Sequence, residues 1–151
     1  MANDNTPDSP ADDELAERTG SDELAERAES DELAELEALV GEWLTVPDIA
    51  ERLGLRLSDV RQLITDRQIL SVRIGPRHVI SVPAKFVNEE GLLPELPGTF
   101  TVLRDGRMTD TEILRWLFTP DSTLPVPGAP MDALLAGFKT EVRRRAMEAA
   151  F

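Results

Sequence analysis

Between Thr45 and Val82 the apolar residues change their spacing from a helical to a strand period, and this constrains the fold more than any other feature of the chain. Val46, Ile49, Ala50 and Leu53 recur at i, i+3, i+4 and i+7, the interval of one helical face. Thr45 and Asp48 form a capping pair ahead of them, and Pro47 falls in a first turn where its missing N–H costs nothing. Gly54 directly follows Leu53 and can take a positive φ, which puts Leu55 in a turn. Ser58 is a natural cap for a second helix, on which Val60, Leu63 and Ile64 share one face and Ser58, Arg61, Gln62 and Thr65 the opposite one. The period then becomes two: LSVRI and HVISV flank Gly75-Pro76 and predict a short β-hairpin with Arg73, Arg77 and His78 near its tip.

Two short helices, a turn and a hairpin outline a winged helix-turn-helix. In such a module the second helix enters the major groove, and its outward residues here are the types that read base edges: Arg for guanine, Gln for adenine, hydroxyls for either. A wing carrying arginines would reach phosphates or a minor groove. The candidate DNA-binding set is therefore Arg56, Ser58, Arg61, Gln62, Thr65, Arg73, Arg77 and His78. Amphipathic helix-Gly-helix pairs also occur in proteins that bind no nucleic acid, and Arg52 and Arg56 equally suit solvated turn charges. It is the wing that tips the balance. His78 has no second histidine and no nucleophile beside it, so it reads as a solvated hairpin residue rather than a catalyst.

A formal net charge of −13 would argue against a phosphate-binding protein. Its distribution removes the objection. Residues 1–42 hold 15 acids and two bases, Arg18 and Arg27, whereas residues 43–151 hold 14 of each. Within residues 43–85 seven bases face four acids, a local +3.

The acidic leader repeats with period nine: DELAERTGS from Asp13, DELAERAES from Asp22 and DELAELEAL from Asp31. Nine residues turn a helix through about 900°, so Leu15, Leu24 and Leu33 alternate sides and form no coiled-coil seam. Rich in Asn, Asp, Ser, Pro and Gly, with ten acids against two bases through Glu29, the segment reads as disordered or at most transiently helical. In the third copy Leu33, Leu36, Val40 and Trp43 share a helical face, Ser30 can cap it and Gly41 can stop it, which places the first packed helix at about Asp31 to Val40.

Beyond the wing, Pro83 to Phe86 can begin a short closing helix, and NEEGLLPELP, residues 88–97, reads as a linker. A second unit follows. Asp105-Gly106 marks a turn, Thr109 and Glu112 make a capping box, and Ile113, Leu114, Trp116, Leu117 and Phe118 crowd a short buried helix. The proline-rich stretch from Thr119 to Pro130 reads as a rigid connector. The last helix, starting near Pro130, presents Met131, Leu134, Leu135, Phe138 and Val142 on one face. Arg143, Arg144 and Arg145 fall in its final turns, where cations complement the helix dipole. The expected organisation is a mainly α chain: acidic leader 1–29, winged helix-turn-helix 30–87, linker 88–97 and small helical C-terminal domain 98–151.

Cysteine is absent and histidine single, so thiolate and polyhistidine metal sites are excluded, and no run of about 18 apolar residues could span a bilayer. With no P-loop, no Gly-rich dinucleotide turn and no Ser/His/Asp set, the expectation is a cytoplasmic non-enzyme without cofactors. TVPDIAERLG with the helix and wing that follow, together with DGRMTDTEILRWLF and PMDALLAGFKTEVRRRA, resembles the actinobacterial winged helix-turn-helix DNA-binding proteins typified by a mycobacterial serine/threonine-kinase substrate. The resemblance covers roughly residues 43–151, not the repeats. It implies a double-stranded DNA partner for residues 45–82, a helical C-terminal domain and a leader open to a serine/threonine protein kinase, with Thr6 and Thr19 as the available hydroxyls. A two-fold operator would further require a homodimer. The rival expectation is a protein-interaction module, because the WLF helix, proline loop and last helix also resemble, more loosely, the toxin-binding domains of some antitoxins.

Overall fold

The computed structural model describes residues 10–151, with side chains from Asp22 onward; Thr6 lies outside the described residues. Residues 36–151 pack as one compact unit, and the chain before Leu36 is a separate one. Helix α1, Pro10–Val40, takes in residues 10–29 of the stretch read from sequence as disordered or transiently helical, and starts well before the expected Asp31. The physical reason is local. Ala, Leu, Glu and Arg of the DELAER repeats have high helix propensity, so the helix can form there without a packed face. Leu24 is 67% exposed, as the nine-residue period requires, and from Asp22 burial begins in earnest only at Leu36 and Val40. Gly41, at φ +83, ends the helix.

Strand β1, Trp43–Thr45, leads directly into α2, Val46–Leu53, through the expected capping box: the Asp48 N–H donates to Thr45 Oγ1 at 3.3 Å and the Thr45 N–H to Asp48 Oδ2 at 3.0 Å. Gly54, in the left-handed region, turns the chain into α3, Leu57–Thr65. Strands β2, Val72–Ile74, and β3, Val79–Pro83, form the wing hairpin. The sheet order is β1-β3-β2, all antiparallel, with Thr45 opposite Ser81 and Ile74 opposite Val79. Within this sheet only β1 is new relative to the sequence reading. A strand of three residues has no detectable period, and pairing with β3 supplies what its own pattern cannot.

The expected linker is replaced by structure. After a 3-10 turn at Ala84–Phe86, β4, Val87–Asn88, pairs with β5, Gly91–Leu92, and α4, Leu96–Asp105, begins inside the supposed linker. Leu93 and Leu96 are buried there, so the leucines outweigh the Pro and Gly punctuation. Phe86 closes the joint between the two halves. Fully buried, its ring lies 5.6 Å from Phe100 of α4 and 6.0 Å from Phe118 of α5, Asp110–Phe118. Ion pairs Arg67–Asp110 and Lys85–Asp132 cross the same joint.

The single last helix is corrected to two, α6, Pro130–Leu135, and α7, Lys139–Ala150. Gly137, at φ +94, breaks it, and the Phe138 N–H donates back to the Ala133 carbonyl at 2.9 Å. The break turns Leu135 and Phe138 out of the predicted apolar face, leaving them 48% and 39% exposed, while Met131, Leu134 and Val142 stay buried. Arg143 to Arg145 consequently lie in the middle of α7, not its final turns. Arg145 instead staples the proline-rich loop, donating to Thr123 Oγ1 at 2.6 Å and to the Thr123 carbonyl at 3.0 Å.

Candidate nucleic-acid interface

Helix α3 is held by few of its own side chains. Val60 is fully buried, Leu63 and Ile64 are half-buried, and the anchoring continues through buried Ile69 and Leu70 just beyond its end. Ser58, Arg61, Gln62 and Thr65 are all exposed, so α3 presents a polar face to solvent along its whole length.

Ser58 is not the cap expected of it. Arg56 occupies that position, its N–H donating to Asp59 Oδ2 at 3.3 Å, and Ser58 sits in the first turn with its hydroxyl outward. The carboxylate at the third helical position captures the cap N–H, so the helix starts two residues earlier than a cap at Ser58 would allow. The Arg56 guanidinium also donates to Asp59, from Nε at 3.2 Å, and with the Arg56 backbone N–H it holds the Asp59 carboxyl below the usual value. On α2 the Thr45 backbone N–H and hydroxyl depress Asp48 in the same way.

Other outward residues are also engaged. Gln62 Nε2 donates to Asp66 Oδ1 at 2.9 Å, and the Thr65 hydroxyl donates to the Arg61 carbonyl at 3.0 Å. Arg61 forms no ion pair among the described residues. Leu57, passed over when Ser58 is taken as the cap, is the first residue of α3 and is 43% exposed. Just beyond the Asp66 cap of the helix, Arg67 at φ +56 takes a left-handed position usually given to glycine, and Arg67 Nη1 contacts both Asp110 oxygens at 2.6 and 2.7 Å.

The wing tip carries the other candidates. Gly75 at φ +77 and His78 at φ +52 bracket a four-residue turn closed by the His78 N–H on the Gly75 carbonyl at 3.1 Å. Arg73, Arg77 and His78 are exposed. Arg73 reaches the His78 carbonyl only at 3.4 Å, and Arg77 has no side-chain partner among the described residues. The two loosely held arginines sit at the end of a hairpin whose base is pinned by β1. A hairpin tip beyond the last strand pair can move where the sheet base cannot, which suits contact with a phosphate backbone. Thr19 falls in α1. No helix of the described residues is long and apolar enough to cross a membrane.

Two family matches cover the compact unit. Residues 33–87 match the wHTH domain of "DNA-binding protein Rv2175c" and residues 93–150 match the "Rv2175c C-terminal domain of unknown function". The chain is 38% identical over 116 residues to the DNA-binding protein Rv2175c of Mycobacterium tuberculosis, covering 70% of this chain and 79% of that protein. It is also similar to the NMR structure of Rv2175c, at 36% identity and a TM-score of 0.66, over 73% of this chain and 82% of that one.

Proposed function

The chain belongs to the Rv2175c family of DNA-binding proteins, and on that premise we propose that it binds double-stranded DNA as a transcriptional regulator. Helix α3 enters the major groove with Ser58, Arg61, Gln62 and Thr65, while Arg56 meets the flanking backbone. Arg73, Arg77 and His78 on the wing contact phosphates or the adjacent minor groove. The observation that carries this reading is a solvent-facing polar helix and an exposed basic hairpin tip, both mounted on one compact unit with a buried core. Arg61 and Arg77, whose guanidinium groups have no side-chain partner among the described residues, lie on these two elements, where a base contact and a phosphate contact would be made.

Electrostatics shape how such binding would behave. A local +3 over residues 43–85 is small, so affinity rests on few phosphate contacts, and log K should fall with log salt at a slope near −0.9 for each one. The acidic leader opposes approach to DNA through its charge, and a phosphate on Thr6 or Thr19, placed there by a serine/threonine kinase, would add about −1.5 to −2 to it. Deleting residues 1–29 should then raise affinity at low salt; an unchanged affinity refutes this modulation. Enrichment of bound duplexes from a random pool at stated salt tests the main reading. A consensus recovered with the full chain supports it, and absence of any enriched or retained duplex overturns it.

One feature favours a second reading, that of a protein-interaction module. Leu135, Phe138 and Met147 are exposed on the C-terminal helices, and an open groove of about 650 Å³ includes Pro94, Arg143 and Met147 in its walls. A stoichiometric protein partner whose binding is lost on Met147→Glu, in a chain that ignores DNA, would favour this reading over the first.

A further inference from the structure

The outward face of α3 carries fewer free groups than its composition suggests. Arg56 is paired with Asp59, Gln62 is held by Asp66, and the Thr65 proton is donated to the backbone. Side chains left with free ends are Leu57, Ser58 and Arg61. An exposed leucine alone signifies little, since much of any protein surface is apolar. Its place here is specific. Leu57 is the first residue of the helix that faces solvent in a helix-turn-helix, where N-terminal residues meet base edges. It precedes Arg61 by four residues, about 40° around the helix and roughly 6 Å along it.

From this placement, and resting on the DNA reading above, we infer that Leu57 is a specificity-determining residue that packs against the C5-methyl of a thymine. A leucine side chain has no donor or acceptor, so among the groups displayed in the major groove only the thymine methyl rewards contact with it. The spacing to Arg61 sets that thymine within about two base steps, at 3.4 Å each, of the base that Arg61 contacts. Polar base edges at the same position would lose water to an apolar surface without replacement hydrogen bonds, so Leu57 discriminates against them as well. The bound sequence therefore favours a thymine within about two base steps of a guanine.

Deoxyuridine removes only the methyl from thymine and leaves base pairing intact, so it isolates the contact. With the consensus duplex selected by the full chain, each thymine is replaced singly by deoxyuridine and the Kd measured at constant salt. One thymine position should show a loss of about four-fold, the value of one buried methyl group. Leu57→Ala should bind the thymine and deoxyuridine duplexes equally, while Leu57→Met should restore a preference for thymine. The exposed position tolerates both, with far-UV circular dichroism as the check on folding. A consensus whose thymines all tolerate deoxyuridine, or a preference that survives Leu57→Ala, overturns the inference and leaves the DNA reading standing. Failure to retain any duplex overturns the DNA reading and this inference together.

Discussion

Replacing Phe86 by alanine should unfold the two halves of the compact unit together. The ring is fully buried and lies 5.6 Å from Phe100 and 6.0 Å from Phe118, so truncation empties a space shared by the 3-10 turn, α4 and α5. A buried Phe→Ala change costs about 3–5 kcal/mol, since the cavity adds to the lost transfer energy. For a unit of this size each kcal/mol moves the melting midpoint by about 4 °C, which gives a drop of roughly 12–20 °C. The two tryptophans report the halves separately. Trp43, whose indole N–H donates to the Glu37 carbonyl at 3.2 Å, sits at the sheet, and Trp116 sits on α5. Thermal unfolding of Trp43→Phe and Trp116→Phe backgrounds, followed by fluorescence, should give coincident transitions with Phe86 in place. Both should shift equally when Phe86 is truncated, and Phe86→Leu should move both by less in the same direction. Separate transitions in the parent protein, or a shift confined to one tryptophan, would refute the shared core and restore the linker reading of residues 88–97.

Other outcomes follow from the same geometry. Arg61→Ala should relax sequence preference in binding to randomised duplexes at a cost of about 1–3 kcal/mol, whereas Arg73→Ala with Arg77→Ala should weaken all sequences alike and flatten the salt slope. Gln62→Ala should change preference less than Arg61→Ala, because Gln62 already spends its amide on Asp66. Gly54→Ala, at φ +68 with open space around the new methyl, should destabilise by about 1–2 kcal/mol in urea unfolding through backbone strain alone, with Gly54→Asn milder. Acid should destabilise the protein. Asp48, Asp59, Glu112, Asp121 and Glu141 all titrate below their ordinary values of 3.8 for Asp and 4.5 for Glu, so their contribution is complete above those values and is lost as pH falls through the depressed ones. The urea midpoint should hold level down to about pH 5 and drop below about pH 4; a midpoint that rises on acidification would contradict these hydrogen bonds.

What residue order alone determined is local: elements whose signals do not compete within a few residues. The Thr45 and Thr109 caps, the Gly54 turn, the strands around Gly75-Pro76 and the stop at Gly41 all follow from interactions spanning a few residues, and each is legible in the sequence. The candidate face of α3 was legible for the same reason, since a 3.6-residue period assigns sides without reference to neighbours. Where local signals competed, sequence misled. Ser58 lost the cap to Arg56 because the Asp59 carboxylate takes the cap N–H, and Leu57 thereby became the leading residue of α3. Only tertiary structure decided the rest. Three-residue β1 exists because β3 offers it a partner, and residues 88–97 are ordered because Leu93 and Leu96 have a core to enter. Helix α7 separates from α6 because Gly137 allows the turn that lets Val142 and Ala146 pack. Long-range burial outweighs local punctuation wherever apolar side chains can reach a common core, and no spacing rule reports which distant residues will share it.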